Sequence, residues 1–399
     1  MQKPPNTPGR GEPGRRHHDD IPKCPFEHIA DPDLENKQID EIAALLVKLL
    51  EKRYPVPKDQ RKFLSEHYPE SIQILRGVHP KSHGCVKAVF EIDKNLSENY
   101  QVGLFDKPGK RYNAIIRFSN AASLLGPDID STGKHGSRGM AIKVFDVGGK
   151  MLSDDKGQHN QDFLMINQPS FAFANTEDYL RLHRVLDTQC DKADGFFAPF
   201  KLQAPNLSDA EKQTILQYIA DEKIEADDIQ RILASFKSVQ MLQTTPVANP
   251  LGISYFSAAP FLFGPDRVMK YSVRPRVEIP PTKVPQPPPD NYLRSSMTEV
   301  LKGKEPIIFD FLVQVRTDVP EADIENALTV WDEKSFPFVK VATITIPSPQ
   351  DIDTDKTIAE CELLAFTPWN ALPEHQPIGS INRLRKTLYD ASAEHRLAK

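Results

Sequence analysis

Apolar residues recur along this chain with two different periods, and the switches between them divide it. Over Gln38–Tyr54 they return every three or four positions. Ile39, Ile42, Leu45, Leu46 and Leu49 then share one face and predict an amphipathic helix. A shorter helix is expected over Asp59–Glu66, after Pro57. From Cys85 to Ile166 the period drops to two, with β-branched residues on the alternating positions. That pattern predicts strands over Val86–Ile92, Tyr112–Phe118, Met140–Phe145 and Phe163–Ile166, with Gly148 and Gly149 as a hairpin turn. Helical spacing returns between Thr176 and Val239, in Glu177–Asp187, Ser208–Glu222 and Ala226–Val239; Ser208 and Glu211 have the spacing of a capping box. Strands resume at Ile253–Ser257, Val268–Val273, Ile307–Val315 and Val339–Ile346, and a last, basic helix is expected over Ser380–Ala398. Eight strands are enough to close an antiparallel barrel. The expected fold class is α+β: an eight-stranded antiparallel β-barrel with helical insertions and a C-terminal helix.

Composition changes this picture at a few points. Proline numbers 35 in 399 residues, and proline breaks helix interiors and central strands alike, so loops and edges abound and a helix bundle is excluded. The run from Pro280 to Pro289 has the composition of an extended polyproline segment. It reads as a rigid crossing within the fold rather than a ligand for an SH3-type domain. Residues 1–33 read as a disordered or loosely wrapping arm, which could exchange between copies in a homo-oligomer, and residues 34–399 as one domain. The net charge of −5 argues against nucleic acid as the main partner, because phosphate binding wants a basic excess. No apolar run is long enough to span a bilayer, and the first twenty residues lack the apolar stretch of a secretory signal. Cys24, Cys85, Cys190 and Cys361 stand far apart without CxxC spacing. A disulfide framework is therefore not expected, and a reducing cytoplasm fits.

Familiar chemical signatures are missing. Gly133, Gly136 and Gly139 have the wrong spacing for a dinucleotide or phosphate loop, and neither GxSxG nor HExxH occurs. His79 and His83 have helical spacing, but Pro80 between them argues against a helix. Asp351, Asp353, Asp355 and Glu362 have calcium-loop spacing, but Lys356 stands where the loop needs glycine. The terminal helix is more informative. Arg385, Tyr389 and Arg396 fall on one stripe. On spacing alone this is a buried tyrosine beside two solvated arginines. The chemical alternative is that a guanidinium one turn away stabilises a phenolate, the form in which tyrosine oxygen binds haem iron. Further candidates are Arg76-Gly-Val-His79, Arg117-Phe-Ser119 and the apolar strand ending in Asn167-Gln-Pro169.

Taken in order, these pieces resemble the haem catalases. Arg76-x-Val-His79 resembles the segment bearing the distal histidine, and Arg117-Phe-Ser119 the strand whose serine supports it. Arg138-Gly-Met-Ala-Ile-Lys143 resembles the family's RGxAxK strand, Asn167-x-Pro169 the distal asparagine segment, and Glu362-Leu-Leu-Ala-Phe366-Thr-Pro368 the EQxAFxP stretch. Arg385-x-x-x-Tyr389, with Arg396 seven residues on, resembles the proximal ligand helix. The chain departs from the family in carrying Asp390-Ala391 after the tyrosine and Pro80-Lys-Ser-His-Gly84 after the histidine. It looks like the small catalase-related haemoproteins that lack the C-terminal helical domain.

The resemblance implies haem b as cofactor and peroxide as the small-molecule substrate. It gives Tyr389 as the iron ligand with Arg385 beside it, and Arg76, Arg117 and Arg396 as partners of the haem propionates. It gives His79 as the proton-transferring residue, Ser119 as its support and Asn167 as a hydrogen-bond donor to the peroxide. Catalase or peroxidase chemistry is the implied activity. Two alternatives are isomerisation of fatty acid hydroperoxides, as in allene oxide synthases, and haem binding without turnover. Those synthases place threonine before the distal histidine; Val78 holds that position here, as in catalases.

Overall fold

The computed structural model describes residues 21–54, 61–122, 124–153, 159–189 and 193–397; of residues 61–63 and 203 only the backbone is described. Helices α1 (Pro32–Arg53) and α2 (Arg61–His67) precede strands β1 (Ser82–Ile92), β2 (Arg111–Asn120), β3 (Arg138–Val144) and β4 (Gln161–Ile166). Helices α3 (Thr176–Thr188), α4 (Asp209–Asp221) and α5 (Ala226–Thr244) follow. Then come β5 (Tyr255–Phe256), β6 (Phe261–Leu262), β7 (Val268–Pro275), α6 (Tyr292–Leu301), β8 (Ile307–Arg316), α7 (Glu321–Glu325), β9 (Val339–Ile346), α8 (Asp355–Leu363) and α9 (Ser380–Leu397).

The strands run in the order β5-β4-β3-β2-β1-β9-β8-β7, and a β5–β7 pairing closes the ring. This is the eight-stranded antiparallel barrel the alternating pattern predicts, with β6 pairing the start of β7 on the same edge that β5 joins farther along. Alternate side chains fill the interior. Phe90, Phe163, Tyr271 and Phe311 meet there, with ring centroids 4.7 Å apart for Phe163 and Phe311 and 5.1 Å for Phe163 and Tyr271. The barrel is thus a packed core, and ligand space must lie outside it.

That space is made by helices. α1 starts at Asp31, whose side chain accepts from Leu34 N, and has Asp33 and Glu35 in its first turn and Lys52 and Arg53 in its last, so charge and cap agree with the helix dipole. Its buried face is Ile39, Ile42, Leu46, Leu49 and Leu50; Ile39 and Ile42 pack with Leu180 of α3 and with Ile381 and Leu384 of α9, and Leu49 with Leu182 and Val185 of α3. The three helices form a layer beside β2, β3 and β4. Arg383 fastens this layer: its guanidinium bridges Glu27 of the N-terminal segment, Glu35 of α1 and Glu325 of α7. Residues 21–31 are therefore tied down; the first twenty residues of the expected arm lie outside the described residues.

Several expectations need correction. Gly148 and Gly149 do adopt positive φ, 74° and 83°, and they lie between the antiparallel neighbours β3 and β4, but the connection there is long, from residue 145 to 160. The Pro280–Pro289 run crosses from β7 to α6 on the surface, mostly exposed. Asp351–Glu362 instead agrees with the reading of Lys356 at the glycine position: Thr354 caps α8, and Glu362 turns into a cluster of arginines. Cys85 and Cys361 form a disulfide, with Cα atoms 5.5 Å apart. They stand 276 residues apart in sequence, so no spacing rule could pair them, and the argument from unpaired cysteines to a reducing compartment loses its footing. No helix among the described residues is long and apolar enough to cross a membrane.

Candidate active site

His79 stands in the loop before β1, at φ 62°. Its backbone is pinned on both sides: N–H donates to Ala122 O at 2.9 Å, and its carbonyl accepts from Arg117 Nη2 at 2.9 Å. The ring Nδ1 lies 3.0 Å from Ser119 Oγ. Ser119 pairs in register with Gly139 on β3, and the missing side chain there makes room for the imidazole. A Cβ at Gly139 would press on Nδ1 and lie 2.6 Å from Cε1. Burial, with the charges of Arg117, Arg385 and Arg76, pulls the His79 pKa down to about 3, so the ring is neutral at ordinary pH.

On α9, Arg385 Nη2 lies 3.4 Å from the Tyr389 hydroxyl, and the guanidinium stands 5.3 Å from the centre of the Tyr389 ring. Arg385 Nη1 donates to Asn382 Oδ1 at 3.0 Å, one turn back on the same helix. Its Nε is buried without a partner, and so are those of Arg117 and Arg396.

Arg76, Arg117 and Arg396 gather around Glu362. Arg76 pairs with the carboxylate, and Arg117 reaches it at 3.3 Å. Arg396 donates to the Glu362 carbonyl and, at 2.9 Å, to Leu364 O. Burial would raise the Glu362 pKa, but the three arginines outweigh it and hold the carboxyl below its usual range. Burial and the neighbouring Arg117 pull Arg76 down to about 9, and burial pulls Arg396 down to about 10. Both remain cations at neutral pH.

These groups border one cavity of about 1220 Å³ including its mouth. His79, Ser119, Arg76, Arg117, Arg385, Tyr389 and Arg396 all line it, and the remaining wall is mainly apolar, with Leu164, Ile166, Phe171 and Leu388 among it. Asn167 does not line it. Its Oδ1 instead accepts from Arg138 N at 2.8 Å and Ser137 Oγ at 3.1 Å.

The structure adds residues that sequence reasoning missed. Tyr179 and His183 of α3 face the same cavity, and His183 Nδ1 is 2.9 Å from Tyr179 O. Their i, i+4 spacing on an otherwise apolar face was the available signal. Gly139 and Glu362 were visible only as members of motifs. Among the described residues no group of three or more His, Cys, Asp or Glu side chains assembles to hold a bare metal ion.

No protein-family model and no curated protein matches the sequence. Solved structures do match in fold. A fungal catalase, titled as a crystal structure at 1.9 Å, superposes with a TM-score of 0.55 at 18% identity over 85% of this chain and 61% of its own length. Catalase A from Saccharomyces cerevisiae gives 0.55 at 17% identity over 85% and 63%. A bacterial catalase gives 0.51 at 17% over 99% and 68%. The chain thus spans 61% and 63% of the length of the first two, and at these identities the likeness establishes a catalase-related fold.

Proposed function

We propose that this chain of catalase-related fold is a haem-dependent enzyme that turns over peroxides by catalase or peroxidase chemistry. The observation that carries the reading is one cavity with a neutral, serine-held histidine on the barrel wall and an arginine-backed tyrosine on α9. The donor set fits haem. Its wall is apolar enough for a porphyrin face, Tyr389 offers an oxygen ligand, and three arginines against one carboxylate leave two positive charges for two propionates.

When bound, haem supplies the iron on which a peroxide O–O bond is cleaved. The protein's own part is proton handling and orientation. His79 is neutral, so it could accept a proton from one oxygen of a bound peroxide and return it to the other as that oxygen departs. If Nδ1–H donates to Ser119 Oγ, the Nε2 lone pair is left for substrate. Gly139 leaves the ring its place. Arg385 stabilises negative charge on the Tyr389 oxygen. Asn167 lies outside the cavity lining, with Oδ1 held by Arg138 N, and takes no step in this reading.

Oxygen release after H₂O₂ is added to haem-loaded protein tests this reading and separates it from hydroperoxide isomerisation and from haem binding alone. His79→Ala should keep the absorption spectrum and lose turnover. A His79→Ala protein with full activity contradicts the assignment.

A further inference from the structure

Among the described residues, every hydrogen bond from the Arg76 and Arg396 guanidiniums ends on residues 361–364. Arg76 bonds the Glu362 carboxylate, Leu364 O at 2.6 Å and Cys361 O at 3.4 Å; Arg396 bonds Glu362 O and Leu364 O. Arg117 divides its bonds between Glu362 Oε1 and the His79 carbonyl. Arginines from the loop before β1, from β2 and from α9 therefore take their orientation from the end of α8. Glu362 is 2% exposed, so its carboxylate has no water to share its charge with. Without it three clustered cations, Arg117 buried and Arg76 and Arg396 half-buried, would repel one another and splay.

The end of α8 is itself braced. Cys361 is bonded to Cys85, and Cys85 is the cross-strand neighbour of Arg117. The disulfide thus runs beside the Arg117–Glu362 ion pair and ties the Glu362 end covalently to β1, the strand laddered to the one that carries Arg117.

We infer that Glu362 is a positioning residue that organises Arg76, Arg117 and Arg396 into a receptor for the carboxylates of the porphyrin. The inference rests on the haem reading above. It concerns how the chain selects its cofactor, and it assigns Glu362 no contact with substrate. The arginines keep fixed places because the carboxylate and the neighbouring carbonyls hold them, and the two surplus positive charges await a doubly charged partner.

The test compares two probes, hemin and hemin dimethyl ester, which lacks the free carboxylates. Each is titrated into wild type, Glu362→Gln and Glu362→Asp and followed by absorbance. Glu362→Gln should weaken hemin binding about ten- to a hundredfold, the range expected for losing hydrogen bonds to charged groups. Glu362→Asp should recover part of it. The dimethyl ester should bind wild type and Glu362→Gln alike. Equal hemin affinity in wild type and Glu362→Gln overturns the inference, and so does an equal loss for both probes, which marks a merely structural role. A wild-type protein that binds neither probe overturns the haem reading instead.

Discussion

Gly139→Ala is the most specific perturbation of the proposed catalytic geometry. The added methyl would press on His79 Nδ1, 2.6 Å from Cε1 and 2.9 Å from Ser119 Oγ. Neither side can yield cheaply. β3 is laddered to β2 at Ser119 and to β4 at Ile166. The His79 backbone is held by Ala122 O and Arg117 Nη2. The imidazole must therefore swing out of its bond with Ser119 by about 1 Å or more, and a displacement of that size costs on the order of a hundredfold in rate. The cavity walls on α9 are not touched, so hemin affinity and the spectrum of the bound state should stay within about twofold of wild type. The assay is oxygen evolution from H₂O₂ on samples matched for haem content. A Gly139→Ala protein with wild-type turnover would refute the claim that this glycine seats the histidine.

Acid should destabilise the fold early. Burial pulls the pKa of His83 down to about 3 and those of His183 and His375 to about 4, all from 6.5. Below pH 6.5 the unfolded chain binds protons that the native one refuses, so stability falls as pH drops from 6.5 towards 4, by roughly 1–2 kcal/mol per histidine at pH 5. Urea midpoints at pH 7 and pH 5 check this; equal midpoints contradict it. The Cys85–Cys361 bond closes a 276-residue separation, which should contribute on the order of 3–5 kcal/mol. Reductant should lower the wild-type melting temperature and leave that of a Cys85→Ser/Cys361→Ser variant unchanged. Denatured, unreduced protein should titrate two fewer thiols than reduced protein; equal thiol counts would remove the bond.

The barrel was legible because its strands alternate: β8, for example, buries every second residue along most of its length. β6 was not, since two residues carry no period. α6 escaped notice because Arg294 and Ser296 are buried beside Tyr292, Leu293 and Met297, so polar residues interrupt the apolar spacing of its buried face. The cavity residues were legible only as an ordered set of motifs. His79 and Tyr389 are 310 positions apart in the numbering, and nothing local links them. What brings them together is the β2–β3–β4 register on one side and the α1–α3–α9 layer on the other. Asn167 belonged to the same set of motifs; its carbonyl is held by Arg138 N and Ser137 Oγ, and it is not among the residues that line the cavity. The Glu362 hub and the disulfide beside it arise from contacts between α8 and β1. These contacts join segments that the sequence holds far apart, so neither pattern nor spacing could reveal them.

The central claim is that the phenol oxygen of Tyr389 holds iron within this cavity. The direct measurement is a hemin titration of purified protein followed by absorbance, run beside Tyr389→Ala. The account predicts saturable one-to-one binding with the spectrum of a tyrosine-bound ferric haem in the wild type, and loss of that spectrum and of tight binding in the variant. A wild-type protein that takes up no hemin, or a Tyr389→Ala protein that gives the same spectrum and affinity, would contradict it.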